Sequence, residues 1–167
     1  MALRAYNALF ICTGNSARSI LAEVILNNLG QARFRAFSAG SQPKGAVHPM
    51  ALEVLHRAGY RADGLRSKCW DEFGAPDAPQ MDFIFTVCDN AAGEACPFWP
   101  GHPVTAHWGF ADPAAVTGTD EIKRRAFEKV FHEISARIRL FLALPFDKID
   151  RLAIQNRLRA IGQTKVS

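Results

Sequence analysis

Apolar and polar positions along the chain alternate between two periods. Ala8-Leu9-Phe10-Ile11 is a short continuous apolar run, the pattern of a strand buried on both faces. From Ser16 to Leu29 apolar residues recur at Ile20, Leu21, Val24, Ile25 and Leu29, which predicts a helix ended by Gly30. Phe34 to Ala39 reads as a second strand closed by Gly40. Met50, Leu52, Val54 and Leu55 read as a second helix that starts after Pro49 and ends at Gly59. Asp82 to Val87 predicts the third strand and Pro103 to Trp108 the fourth. Thr119 followed by Asp120 and Glu121 is a capping signal for the longest helix. Its apolar stripe runs through Ile122, Phe127, Val130, Phe131, Ile134, Ile138 and Phe141, with Pro145 as the stop. Asp150 to Ile161 predicts a shorter helix, so that 145–167 forms a C-terminal helical tail.

Strands that alternate with helices imply an α/β fold of three layers, a four-stranded parallel sheet with helices on both faces, and one domain over 1–167. Such sheets bind ligands at the carboxyl ends of their strands. Cys12 ends the first strand and Cys88 follows the third directly, which puts both on one rim.

Charge narrows the partners. The net charge of +4 is spread, and its two small clusters, Lys123-Arg124-Arg125 and Arg151, Arg157 and Arg159, lie in helical patterns that also carry acids. They read as solvated helix faces, not as a nucleic-acid surface. No apolar run approaches the ~20 residues of a membrane span, and Leu9-Phe10-Ile11 is too short for a signal peptide, so a cytoplasmic protein is expected. Four cysteines in a chain with this much core do not suggest a disulfide scaffold, and no CxxC or Cys/His ligand spacing suggests a metal. Packing or chemistry remains for them.

The sharpest feature is Cys12-Thr13-Gly14-Asn15-Ser16-Ala17-Arg18-Ser19, between the first strand and the first helix. Five residues between Cys12 and Arg18 are enough backbone to curl around one tetrahedral oxyanion with the amides turned inward. Gly14 permits close backbone approach, and Asn15 tolerates a left-handed conformation. The helix N-terminus adds its positive dipole end, and Arg18 can grip two oxygens as a fork. The same field is expected to hold Cys12 as thiolate, with the Ser19 hydroxyl donating to it. A plain strand-to-helix turn explains the Gly, Asn and Ser, but not the Cys and Arg together.

These residues resemble the Cys-x5-Arg signature of low-molecular-weight tyrosine phosphatases, in the variant found in thiol-dependent arsenate reductases. Ala17 stands where many such phosphatases carry a second Cys. The resemblance implies the flavodoxin-like low-molecular-weight phosphatase fold and a substrate-binding loop of Thr13, Gly14, Asn15, Ser16, Ala17 and Arg18. It extends to His107-Trp108-Gly109-Phe110-Ala111-Asp112-Pro113, which is similar to the loop that supplies the family's general acid, here Asp112. Ala114-Ala115-Val116 follow where the phosphatases usually place aromatic residues against a phosphotyrosine ring. The segment from Cys88 to Cys96, two thiols eight positions apart around Gly93 and followed by Pro97, resembles the redox loop of the arsenate reductases. Some relatives hold a structural potassium ion near Asn15, Glu23 and Ser38; no metal is assigned here. Cys69 reads as a packing residue, and none of the five histidines is assigned to catalysis.

The implied activity is reduction of arsenate to arsenite through a thio-arsenate adduct on Cys12, resolved by Cys88 and then Cys96. No tightly bound cofactor is implied; electrons would come from thioredoxin or from glutathione with glutaredoxin. Two rivals stand beside it. One is a phosphatase of phosphate monoesters that uses the same loop and Asp112. The other is a non-catalytic oxyanion or redox sensor, which a complete set of nucleophile, Arg and acid disfavours.

Overall fold

The computed structural model of the chain describes residues 5–87 and 101–163. Four strands, β1 (Tyr6–Cys12), β2 (Phe34–Gly40), β3 (Phe83–Thr86) and β4 (Val104–His107), form a sheet in the order β2-β1-β3-β4. All neighbouring pairs are parallel. The helices are α1 (Arg18–Gly30), α2 (Pro49–Arg57), the single turn α3 (Asp71–Gly74), α4 (Asp120–Leu142) and α5 (Arg151–Gly162). The expected three-layer α/β architecture is the one observed.

Register explains the burial. Tyr6, Ala8 and Phe10 pair with Phe34, Ala36 and Ser38 on one side, and Ala8 and Phe10 pair with Phe83 and Phe85 on the other. These side chains share one face of the sheet. An aromatic cluster fills that face: Phe85 lies 5.1 Å from Phe10, 4.2 Å from Trp108 and 5.3 Å from Phe141 of α4, centroid to centroid. The other face carries Leu9, Ile11, Phe37 and Ile84, and α3 sets Phe73 against Phe37. Being covered on both sides is why β1 reads as an unbroken apolar run.

Several boundaries differ from the sequence reading, each for a physical reason. Helix α1 starts at Arg18, later than Ser16, and ends at Gly30 as read; Gly30 itself stays helical and buried, and a side chain there would press on Phe34 at 3.0 Å. Gln31 instead takes the left-handed conformation, at φ 47°. Ile122 belongs to the periodic stripe of α4 but is half exposed, because the first turn of that helix overhangs the core. The C-terminal tail is docked: α5 buries Leu158 and Ile161, and its Leu158 carbonyl accepts from the indole Nε1 of Trp108 at 3.0 Å. The cap at Thr119 holds as read, and the structure adds one at Asp150, each side chain accepting from a backbone N–H three residues on.

Helix α2 begins differently from the others. Pro49 occupies its first position and His48 caps it, Nδ1 accepting from the Met50 N–H at 3.1 Å. The imidazole must be neutral at Nδ1 to do so. Burial holds His48 below its ordinary value of 6.5, and the Lys44 ammonium adds to this while Asp112 opposes it. The unfolded chain therefore binds a proton at this residue before the folded one does. His48 supports the fold above pH 6.5, and that support is lost as the pH falls through the depressed folded-state value. His48→Asn keeps an acceptor without the titration, so its unfolding free energy is expected to fall less on acidification below pH 6.5 than that of the parent. His48→Ala is expected to lose about 1 kcal/mol. Denaturant titrations across that range measure both; equal acid slopes for parent and His48→Asn would remove His48 as the source.

Candidate active site

The carboxyl ends of β1 and β2 meet at one rim, and the loop 13–17 lies across it. Cys12, the last residue of β1, is 3% exposed. Its Sγ sits 2.9 Å from Ser19 Oγ and 3.3 Å from the Asn15 N–H. Asn15 takes φ 44°, the left-handed turn that swings its amide toward the sulfur. Its side chain is a strut behind the loop: Oδ1 accepts from Lys68 N at 2.9 Å, and Nδ2 donates to Ser19 Oγ at 2.8 Å. That order assigns the Ser19 hydroxyl as acceptor from Asn15 and leaves its own proton for Cys12. A sulfur met by an O–H and an N–H is a sulfur favoured as thiolate. Helix α1 starts at Arg18 with no side-chain cap, so its first amides are available at the loop.

Above the sulfur opens a cleft of about 380 Å³. Thr13, Gly14, Ser16, Ala17 and Arg18 line it together with Cys12 and Asp112. Asn15 does not; it is fully buried beneath the loop. Two lining residues carried no sequence signal, Gln42 and Lys44. They follow β2, and their backbone N–H groups bond the carbonyls of Thr13 and Gly14 at 2.9 and 3.0 Å. The rule that ligands sit at strand carboxyl ends applies to β2 as much as to β1 and is the signal that would have found them. Among the described residues, none that lines the cleft is aromatic.

Arg18 is poised over the cleft. Its Nη1 donates to the Phe110 carbonyl at 3.0 Å, and Nη2 lies 3.6 Å from Asp112 Oδ2. The other oxygen of Asp112 accepts from Ala114 N at 3.0 Å and caps the 3-10 turn Pro113–Ala115. One carboxylate oxygen is thus held by backbone while the other faces the guanidinium. Cys69 is half-buried with its sulfur 3.5 Å from Asp71 Oδ2, outside the cleft. Cys88 and Cys96 lie outside the described residues.

A buried ion pair stands behind the strut. Glu23 accepts from Ser38 Oγ at 2.5 Å and lies 3.6 Å from Lys68 Nζ, the two side chains being 15% and 9% exposed. Burial pushes Glu23 up and Lys68 down, and each opposes the other's shift. The Lys68 ammonium supplies the positive charge at Glu23 and Ser38, so these residues do not fit a potassium ion. Among the described residues no cluster of His, Cys, Asp and Glu suits a metal.

Gly40 is required by the site and not by its own backbone angles. A Cβ there would lie 2.5 Å from the Thr13 carbonyl oxygen and 3.0 Å from Asn15 N. Gly40→Ala is expected to destabilise the fold by about 2 kcal/mol and to weaken binding of inorganic phosphate, since the loop must move to admit the methyl. Thermal unfolding and a phosphate titration read the two effects; unchanged phosphate affinity would show that the loop does not lean on β2.

The chain is similar to known proteins over most of its length. The family model described as low molecular weight phosphotyrosine protein phosphatase matches residues 7–153. An arsenate reductase from Shouchella clausii is 36% identical over 132 residues, covering 79% of this chain and 91% of the relative. One from Bacillus licheniformis is 38% identical over 134 residues with the same coverage. Among solved structures, a thioredoxin-dependent arsenate reductase from Corynebacterium glutamicum superposes with a TM-score of 0.58 at 26% identity, over 83% of this chain and 61% of that one. With Cys12, Arg18 and Asp112 gathered at one cleft, the chain belongs to the low-molecular-weight phosphotyrosine protein phosphatase family, alongside the bacterial arsenate reductases that it matches.

Proposed function

We propose that the protein reduces arsenate to arsenite in a thiol-dependent cycle. The observation that carries this reading is a thiol at the floor of a small anion cleft whose described lining holds no aromatic residue. Such a cleft suits a tetrahedral inorganic oxyanion better than a phosphotyrosine ring. The oxyanion sits among the loop amides and the Arg18 fork. The Cys12 thiolate attacks arsenic, and an arsenate oxygen leaves as water with a proton from Asp112. A second thiol then attacks the Cys12 sulfur. The sulfur–arsenic bond breaks, its electron pair reduces arsenic from +5 to +3, and arsenite departs. Cys88 is the second thiol; Cys96 next attacks Cys88 and frees Cys12, leaving an 88–96 disulfide. Reduction of that disulfide by thioredoxin restores the enzyme, and the thioredoxin-dependent neighbour supports this donor over glutathione with glutaredoxin. A cytoplasmic setting, where thiols are kept reduced, suits the cycle; among the described residues no helix is long and apolar enough to cross a membrane.

The same thiol, fork and acid could hydrolyse phosphate monoesters, as the description of the matching family model indicates. One experiment separates the readings. Arsenite is measured over many turnovers with NADPH supplied through thioredoxin or through glutathione and glutaredoxin, and aryl phosphate hydrolysis is followed in parallel. Turnover with thioredoxin is expected. Rapid aryl phosphate hydrolysis with no arsenite from either donor would make the protein a phosphatase.

A further inference from the structure

Arg137 projects from α4, and the cycle above does not use it. Its Nη1 donates to the Gly109 carbonyl at 3.0 Å, and its guanidinium carbon lies 4.5 Å from the centroid of the Phe110 ring. The same two residues lead into the acid. The Phe110 carbonyl accepts from Arg18, and Asp112, two residues further on, faces the other end of the Arg18 fork. Upstream, the segment is tied to the sheet by Trp108 N–H to the Thr86 carbonyl at 2.7 Å and Phe110 N–H to the Val87 carbonyl at 3.2 Å. Downstream of Phe110 the turn Pro113–Ala115 packs against α4, with Pro113 buried. Asp112 is 39% exposed on its side chain, and its 3.6 Å pair with Arg18 is too open to fix a loop.

We infer that Arg137 is a positioning residue that holds Gly109 and Phe110 from behind, so that Asp112 keeps its place over Cys12. This rests on Asp112 acting as the proton donor. A guanidinium suits the task because one plane can stack on the Phe110 ring while its edge donates to the Gly109 carbonyl; an ammonium cannot do both. The consequence is chemical. A general acid acts only within hydrogen-bond reach of the departing oxygen, and a displacement of about 1 Å from a remote substitution costs up to ~10²-fold in rate.

The test is a double-mutant cycle of Arg137→Met and Asp112→Asn. Its readouts are arsenite formed in a single turnover at saturating arsenate, and the Kd for inorganic phosphate. Arg137→Met is expected to slow the single turnover between about ten- and a hundredfold. Phosphate affinity should stay within about threefold, because the Cys12 loop is untouched. The double variant should be no slower than Asp112→Asn alone, because a residue acting only through the acid has nothing to add once the acid is gone. Phe110→Leu removes the ring from the other side and should enter the same cycle in the same way; it serves where Arg137→Met does not fold. A rate within twofold of the parent, losses that multiply with Asp112→Asn, or phosphate binding that weakens as much as the rate would each overturn the positioning role. A parent protein that forms no arsenite, or an Asp112→Asn variant with full rate, would instead overturn the reading of the site itself.

Discussion

Cys12→Ser is expected to bring arsenite formation down to the uncatalysed background, a loss on the order of 10⁴-fold or more, while inorganic phosphate still binds within a few-fold of the parent. The split follows from the architecture. The anion is held by loop amides, by the start of α1 and by Arg18, none of which serine disturbs. What serine removes is the atom that can exist as an anion under mild conditions and can later accept a second sulfur. The hydrogen bonds from Ser19 at 2.9 Å and from Asn15 at 3.3 Å that stabilise a thiolate have no alkoxide to act on at neutral pH. Calorimetric titration with phosphate and a turnover assay on the same preparation test both halves. Residual turnover above about one per cent of the parent would mean that another thiol starts the reaction; loss of phosphate binding along with turnover would mean that the sulfur, not the loop, organises the anion.

How much of this was legible beforehand depends on whether a feature is local. The strand at Ala8–Ile11, the loop after it and the cap at Thr119 are written in contiguous residues, because a strand buried on both faces needs an apolar run and an anion loop needs its amides in sequence. Cys12, Arg18 and Ser19 could be named for that reason. Asp112 came from a resemblance, since an Asp-Pro pair is ordinary turn chemistry by itself. Lys68, Lys44 and Arg137 left no trace in periodicity. Lys68 reaches Asn15 across 53 positions and Arg137 reaches Gly109 across 28, and no spacing rule connects them. Gly40 was legible as the close of a strand, but its actual reason, the 2.5 Å that separates its missing Cβ from the Thr13 carbonyl, exists only once β2 is laid beside β1. Asn15 shows the same limit in reverse. Its left-handed backbone could be anticipated from its residue type, whereas its role as the strut between Lys68 and Ser19 depends on a loop that arrives from elsewhere in the chain.

Cys88→Ser is the second decisive substitution, and electron counting fixes its outcome. Reducing arsenic from +5 to +3 takes two electrons, and a single thiol cannot supply both and return as a thiol. After Cys12 has bonded to arsenic, another sulfur must attack it before arsenite can leave. With Cys88 replaced, multi-turnover reduction with thioredoxin as donor is expected to stop, and the protein should accumulate an arsenic adduct on Cys12 detectable by mass. Hydrolysis of an aryl phosphate, which needs Cys12, Arg18 and Asp112 but no second thiol, should stay within about twofold of the parent. The contrast separates the two readings of the cleft in one protein. If Cys88→Ser keeps full reductase turnover, the resolving thiol is elsewhere, and Cys69 is a poor substitute because its sulfur rests by Asp71, outside the cleft. In that case Cys96 or an external thiol attacks Cys12; turnover that rises with glutathione concentration and is indifferent to thioredoxin would identify the external thiol.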